Sequence, residues 1–264
     1  MELNKSQVMA ISHFTGPMLV LSGPGSGKTT VIIKRILNLI NTYHVPPENI
    51  LAVTFSRASA NEMEKRFAEL YRENAVWPAV PGTPAVEFGT FHSIFLKILR
   101  SSYKYSNTMI ISSQDRYDFI RSELEKFNIQ TDNINDEIRS IMLKISRLKA
   151  GVGAGQGGAG SGSAWVGNAG AGGTWDGDTN SAWAGADPVF KEIFMDYEKY
   201  MNDEQLIDFD DIITDCYELL CTDKKLLAEC QTKYRFILVD EFQDASPMQY
   251  ETVSLIAGKA ANLF

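Results

Sequence analysis

The chain has 264 residues, 44% of them apolar and three of them cysteine, with a formal net charge of −8 at pH 7. That length suits one or two domains with a sizeable core; no apolar run is long enough to span a bilayer, and Met1–Ser12 lacks the basic-then-apolar pattern of a secretory signal. The acidic balance argues weakly against nucleic-acid binding, which draws on Lys and Arg, but a local groove that uses backbone N–H groups and aromatics is compatible with an acidic whole.

In chain order, the first buried-strand pattern is Met18–Leu21. It runs into Ser22-Gly23-Pro24-Gly25-Ser26-Gly27-Lys28-Thr29-Thr30, and a helix with Val31, Ile32, Ile36, Leu37 and Ile40 on one side follows. A strand fixes the start of such a turn, and glycines let its N–H groups converge on an anion. The helix N-terminus adds its dipole. In this pattern Lys28 reaches the β and γ phosphates and the Thr29 hydroxyl ligates Mg²⁺. Ser22 stands where the pattern has its first glycine, a place a small residue fits.

Ile50–Phe55 is a second buried strand, followed by a helix through Met63, Phe67, Leu70 and Tyr71, and Val86–Phe88 is a weaker strand candidate. Arg116–Phe127, Asp136–Leu148 and Asp187–Met201 carry apolar residues at helical spacing, so the middle of the chain reads as a helical insertion. Gly151–Gly185 stands apart, with 13 of the 20 glycines and no Lys, Arg or Glu. Glycine at that density opposes helix by about 1 kcal/mol per residue; such a stretch ordinarily means a flexible linker, but Trp165, Trp175 and Trp183 are unusual in one, an engineered replacement is as plausible as a natural loop, and no function is placed there. Cys216, Cys221 and Cys230 lack metal-ligand spacing and read as buried or free thiols, which points to a reducing cytoplasm.

Phe236–Val239 is the last buried strand and leads straight into Asp240-Glu241-Phe242-Gln243-Asp244. Carboxylates at the C-terminal tip of a parallel strand sit at the ligand edge of the sheet. There Asp240 is placed to hold Mg²⁺, and Glu241 to orient and deprotonate an attacking water. Alternating strands and helices imply an α/β fold with a doubly wound parallel sheet.

The two motifs define an NTPase, and the segments around them narrow the class. Leu3-Asn4-Lys5-Ser6-Gln7, Thr54-Phe55-Ser56-Arg57-Ala58-Ser59-Ala60-Asn61-Glu62-Met63, Gly89-Thr90-Phe91-His92-Ser93, Asp208-Phe209-Asp210-Asp211-Ile212 and Val239–Gln249 occur in the order found in the UvrD/Rep/PcrA helicases, which this chain resembles. The resemblance implies a P-loop, RecA-like first domain at 1–104 and 206–264, with an inserted helical subdomain at 105–205. It departs from the family at Gly151–Gly185, where the family is helical, and at Ser56, Arg57 and Ala58, where the family has Thr, Asn and Lys. It implies ATP and Mg²⁺ as cofactors, with Gln7 on the adenine edge. Gly23, Gly25, Ser26, Gly27, Lys28, Thr29, Thr30 and Gln243 would be around the phosphates, Thr29 and Asp240 on the metal, and Lys28, Asp240 and Glu241 in catalysis. Phe55, Ser56, Arg57, Thr90, Phe91 and His92 would meet single-stranded DNA. An exposed aromatic such as Phe55 can stack on a base, worth about 1–3 kcal/mol and indifferent to sequence. Asp208, Asp210 and Asp211 are better suited to capping a helix or organising the return of the insertion to the core.

The implied activity is ATP-driven translocation on single-stranded DNA and unwinding at duplex junctions, with 3′→5′ polarity, in repair or replication. In the family the strand after VDEFQD ends in a GDxxQS-like motif. Asn262-Leu263-Phe264 stands where that strand begins, so an N-terminal fragment is expected, one that needs a second RecA-like domain and turns over little ATP alone. The rival readings are the helicase portion of a RecB/AddA-like nuclease and a nucleotide-gated binding module without motor activity. A small-molecule kinase has no reason to carry the Thr90 and Asp240 motifs.

Overall fold

The computed structural model describes residues 3–23, 25–74, 85–149, 187–260 and 262–264, so the segment Gly151–Gly185 lies outside the described residues. The elements in chain order are α1 (Lys5–Ser12), α2 (Lys28–Asn41), β1 (Ile50–Thr54), α3 (Arg57–Asn74), β2 (Glu87–Thr90), α4 (Phe91–Ser101), β3 (Met109–Ile110) and α5 (Ser113–Lys126). They continue with α6 (Ile134–Lys149), α7 (Pro188–Asp203), β4 (Leu206–Ile207), α8 (Phe209–Thr222), α9 (Lys224–Lys233), β5 (Phe236–Val239) and α10 (Pro247–Ala257). They form two compact units, Met1–Phe95 with Tyr217–Phe264, and Leu96–Cys216.

The first unit is built on a parallel sheet of order β2-β1-β5. Its central strand β1 is buried at every residue because both edges are paired and both faces are covered, which is why it reads as an unbroken apolar run. Val53 stands opposite Gly89 on one side and Val239 on the other, and Thr54 stands opposite Thr90, so the C-terminal tips of β1, β2 and β5 end together. The apolar stripes of α2 and α3 pack with the sheet in one cluster that includes Ile36, Leu39, Ile50, Ala52, Met63, Phe67 and Leu238. Each fully buried aliphatic or aromatic side chain of this kind contributes roughly 1.5–3 kcal/mol.

The expected strand Met18–Leu21 is not part of that sheet: no ladder forms along it, and Leu19 and Leu21 are 70% and 87% exposed. An apolar run becomes a strand only where a neighbouring backbone offers it a row of partners. Among the described residues that neighbour is Asn262–Phe264, which lies beside β5 through a parallel bridge from Leu263 to Ile237 and gives Met18 a single carbonyl, that of Leu263, at 2.9 Å. The second strand ends at Thr54, not at Phe55: the Thr54 hydroxyl donates to the Ser56 carbonyl at 2.9 Å and turns the chain into α3. The weaker strand candidate is shifted by one to two residues, to Glu87–Thr90.

Gly89 in β2 illustrates why the sequence has glycine there. A Cβ at that position would come within 2.7 Å of Ser93 Oγ and 2.9 Å of Ile94 Cδ1. Ser93 Oγ is itself held by Thr90, donating to its carbonyl at 2.9 Å and accepting from its N–H at 2.8 Å. Gly89→Ala is therefore expected to destabilise the protein by about 1–3 kcal/mol, the usual range for overpacking, read as a lowered urea midpoint at unchanged slope.

The second unit is mainly helical. α5, α6 and α7 bury Ile120, Leu124, Ile138, Ile141, Ile145, Ile193, Phe194 and Tyr197 in one core, and two short parallel strands, β3 and β4, pair beside it. At the end of α6 the Lys149 ammonium is 5% exposed and lies 2.8 Å from Glu198, 2.9 Å from Asp208 and 2.7 Å from Asp211. Asp208 also accepts from the Asp211 N–H at 2.9 Å and so caps the first turn of α8, while the Ser146 hydroxyl donates to Asp210 at 2.6 Å. No helix among the described residues is long and apolar enough to cross a membrane.

Candidate nucleotide and single-strand sites

The loop before α2 has the backbone its glycines allow. Gly25 and Gly27 take φ of +71° and +83°, the left-handed region that L side chains avoid. Gly27 is also the N-cap of α2, so the unpaired N–H groups of that helix face the loop. A Cβ built on Gly23 or Gly25 meets no atom within 4 Å, so the loop curls around open space. Lys28, Thr29 and Thr30 form the first turn of α2 and are each half-buried.

Asp240 and Glu241 follow β5 directly. The Asp240 N–H donates to the Val53 carbonyl at 2.9 Å, which extends the pairing with β1 by one step. The Asp240 side chain then accepts from the Glu241 N–H at 3.1 Å. Glu241 has φ +52° and ψ +45°, the left-handed region, rare for a residue with a side chain. That turn brings its carboxylate to the Lys28 ammonium, 2.8 Å and 2.9 Å from the two oxygens. The two residues are 213 positions apart in the chain. Gln243 donates to the same carboxylate at 2.5 Å.

The titration of these groups follows their neighbours. The Glu241 hydrogen bond holds Lys28 above its ordinary value; burial opposes it, and the charges of Glu241 and Asp240 add to the rise. The hydrogen bonds from Lys28 and Gln243 hold Glu241 below the usual carboxylate range. Asp240 moves the other way: burial, then the adjacent Glu241 charge, push it up. Two neighbouring carboxyls are thereby driven apart in proton affinity, a pattern common at functional sites.

Gln7 lies at the other side of the loop. Its Oε1 accepts from the Asn4 N–H at 2.9 Å and its N–H donates to Asn4 Oδ1 at 2.8 Å, a reciprocal cap on α1. Gln7 Nε2 donates to the Ser26 carbonyl at 3.1 Å. A primary amide has two donors and two lone pairs, so one of each remains. The spacing Asn4-x-x-Gln7 carries the signal for this cap, which sequence reading alone did not use.

The residues expected to meet DNA divide into two groups. Phe55 is 58% exposed at the tip of β1, and Arg57 is exposed at the start of α3. Ser56 is exposed too, but its hydroxyl accepts from the Ser59 N–H at 3.1 Å and so caps α3. Thr90 is buried, with Oγ1 engaged by Ser93, and His92 is half-buried in the first turn of α4. Phe91 is 3% exposed and packs edge to face on Phe95 at 6.0 Å. The position one residue into α4 turns it to the core.

No group of three or more His, Cys, Asp or Glu side chains suited to a metal exists among the described residues. Thr29 and Asp240 offer hard oxygens on two sides of the loop, a donor set that fits Mg²⁺ held by one carboxylate, a hydroxyl and the phosphates of a nucleotide. Cys216 and Cys230 are buried, and burial pushes the Cys230 thiol up to about 11.

Residues 3–264 match the family of the UvrD/REP helicase N-terminal domain. The chain is 31% identical to ATP-dependent DNA helicase PcrA of Bacillus subtilis over 99% of this chain and 32% of that protein. It is 30% identical to ATP-dependent DNA helicase Rep of Buchnera aphidicola, over 99% of this chain and 35% of that one. It is 32% identical to DNA helicase II of Rickettsia typhi, over 99% and 36%. The chain thus spans about a third of the length of the curated relatives it matches. A loop that curls at two left-handed glycines, a lysine and a glutamate meeting across it, and a family match over nearly every residue agree: this chain belongs to the UvrD/REP helicase family and carries its N-terminal domain.

Proposed function

We propose that this chain holds the ATP site and one wall of the single-strand path of an ATP-dependent DNA helicase. The observation that carries the reading is the meeting of Lys28 and Glu241 at 2.8 Å beside the glycine loop. The first unit is read as the RecA-like domain, and the compact unit Leu96–Cys216 supports a helical insertion at about 105–205. Gly23, Gly25, Ser26, Gly27 and Thr30 surround the phosphates with N–H groups, and Gln7 uses its remaining donor and acceptor on the adenine edge. Gln243 holds Glu241. Bound Mg²⁺ would neutralise phosphate charge between Thr29 and Asp240.

In this mechanism Lys28 exchanges its Glu241 partner for phosphate oxygens. Glu241, relieved of that ammonium, gains proton affinity and takes the proton of a water aligned with the terminal phosphate. A second RecA-like domain closes over the nucleotide, and alternating grip moves the motor 3′→5′ along one strand. Phe55 and Arg57 form the grip, the first by stacking and the second on phosphate. Free thiols at Cys216, Cys221 and Cys230 fit a reducing cytoplasm.

In the full-length protein, steady-state ATP hydrolysis is expected to rise on addition of single-stranded DNA, and a 3′-tailed duplex to be unwound. Turnover indifferent to DNA would sink the motor reading. Phe55→Ala should weaken single-strand binding by about 1–3 kcal/mol, the value of one stacked base, with equal loss on any sequence. Fluorescence anisotropy with two unrelated oligonucleotides checks both parts.

A further inference from the structure

The last carbonyls of a helix have no partners inside it and must find them elsewhere. In α1 they find them on α2 and on the residues that follow it. Arg35 Nη1 donates to the Ala10 carbonyl at 3.0 Å and also to that of His13. Asn38 Nδ2 donates to the Ile11 carbonyl at 3.1 Å, and the Tyr43 hydroxyl donates to that of Ser12 at 2.8 Å. The Thr42 hydroxyl donates to Asn38 Oδ1 at 2.7 Å, which turns the Asn38 amide so that its N–H₂ faces α1. Arg35 is 2% exposed, its guanidinium lies 4.4 Å over the Phe264 ring, and burial pushes it down to about 10.

Apolar packing gives α1 little else to hold it. It has eight residues, below the length at which an isolated helix is stable, and among them Ala10 alone is buried; Val8 and Met9 are 49% and 62% exposed. Its placement therefore rests on the donors of Arg35, Asn38 and Tyr43 and on the Gln7 contact with Ser26. α2 begins at Lys28, so one rigid helix references both the phosphate contact and the helix that carries Gln7.

We infer that Arg35, Asn38 and Tyr43 are positioning residues for nucleotide-base selectivity. They hold α1 at the height over the loop where the spare N–H and lone pair of Gln7 meet a purine that presents an acceptor and an amino donor. Adenine presents that pair at N7 and N6, whereas guanine presents two acceptors at N7 and O6. The inference rests on the reading of Gln7 as the base contact. A shift of α1 by a fraction of an ångström costs the adenine hydrogen bonds and leaves the phosphate contacts of the loop in place.

The test is steady-state hydrolysis of ATP and GTP by the full-length protein, with Gln7→Ala as the reference variant. Arg35→Lys, which keeps the charge but not the fork, is expected to raise KM for ATP about tenfold, a change equivalent to about 1.4 kcal/mol. KM for GTP and both kcat values should stay within about twofold, the signature of lost ground-state binding. A merely structural role would instead lower the active fraction and reduce kcat for both nucleotides alike. Asn38→Leu with Tyr43→Phe, which leaves Arg35 in place, should move the same ratio by about fivefold, the low end for two lost hydrogen bonds, and serves if Arg35→Lys does not fold. An unchanged ATP-to-GTP ratio in these variants, with the ratio lost in Gln7→Ala, would overturn the inference and leave the Gln7 reading intact. A ratio unchanged in Gln7→Ala itself would remove the base contact, and the inference with it.

Discussion

Lys28→Ala in the full-length protein is expected to lower ATP turnover about a hundred- to a thousandfold, the loss that follows removal of one preorganised charge-stabilising group, and to abolish unwinding. Lys28 is the first residue of α2, follows a left-handed glycine, and has its ammonium in ion-pair contact with Glu241. No other Lys or Arg among the described residues pairs with the Glu241 carboxylate, so a neighbour is not placed to take over. Two consequences separate this variant from a general loss of fold. Removing the ammonium takes away the main reason that Glu241 is held below its usual range, so the Glu241 carboxyl should titrate upward. Glu241→Gln, by contrast, keeps Lys28 and should retain nucleotide binding while turnover falls. Hydrolysis, equilibrium binding of a fluorescent ATP analogue and unwinding of a 3′-tailed duplex together decide the matter. Unwinding that survives in Lys28→Ala would show that the lysine is not the phosphate contact.

Lys149→Met is expected to destabilise the unit Leu96–Cys216 by about 3–5 kcal/mol, the cost of leaving buried charge without its partner. The ammonium is the hub of three carboxylates drawn from α7 and the start of α8. Burial alone would push Lys149 down, but Asp211, Asp208 and Glu198 together outweigh it and hold the ammonium well above its usual value. The carboxyls respond unequally. Burial would raise Asp208, yet Lys149 and the Asp211 N–H bring it to about 2, so it carries the negative charge that faces the lysine. Burial pushes Asp211 well up, against the pull of Lys149. Without Lys149 the ionised Asp208 keeps the Asp211 N–H, the Tyr197 hydroxyl 3.2 Å away and the charge of Arg116, but loses the ammonium that does most to hold it ionised. Hydrogen exchange of amides in α6, α7 and the first turn of α8 should accelerate in Lys149→Met. Asp208→Asn added to Lys149→Met should recover part of the loss, because the uncompensated charge is then removed. Exchange rates unchanged from wild type would mean that the cluster is neutral to stability.

Where burial repeats along the chain, the residues announce their structure. Ile50–Thr54 and Phe236–Val239 are unbroken apolar runs, and they are strands because both faces of the sheet are covered. The stripes of α2 and α3 and those of the three helices around Ile120, Ile141 and Tyr197 follow the 3.6-residue period. Motif order likewise marks the glycine loop before Lys28 and the acidic tip at Asp240, whose positions follow from local backbone geometry and residue type.

What the tertiary structure alone decided concerns partners distant in the chain. Met18–Leu21 has the pattern of a strand and no ladder, since a strand is a property of two backbones and one run cannot supply the second. Phe91 belongs to a motif named by its residue order and is 3% exposed, since its rotation about α4 is set by what α4 packs on. The left-handed turn at Glu241, the Arg35 donors to α1 and the Lys149 hub leave no periodic trace, because each is a single polar group satisfied by residues that folding brings near. Hydrophobic burial is read from one dimension because it recurs; hydrogen-bond and charge partners are chosen once, in three dimensions, and only the packed chain names them.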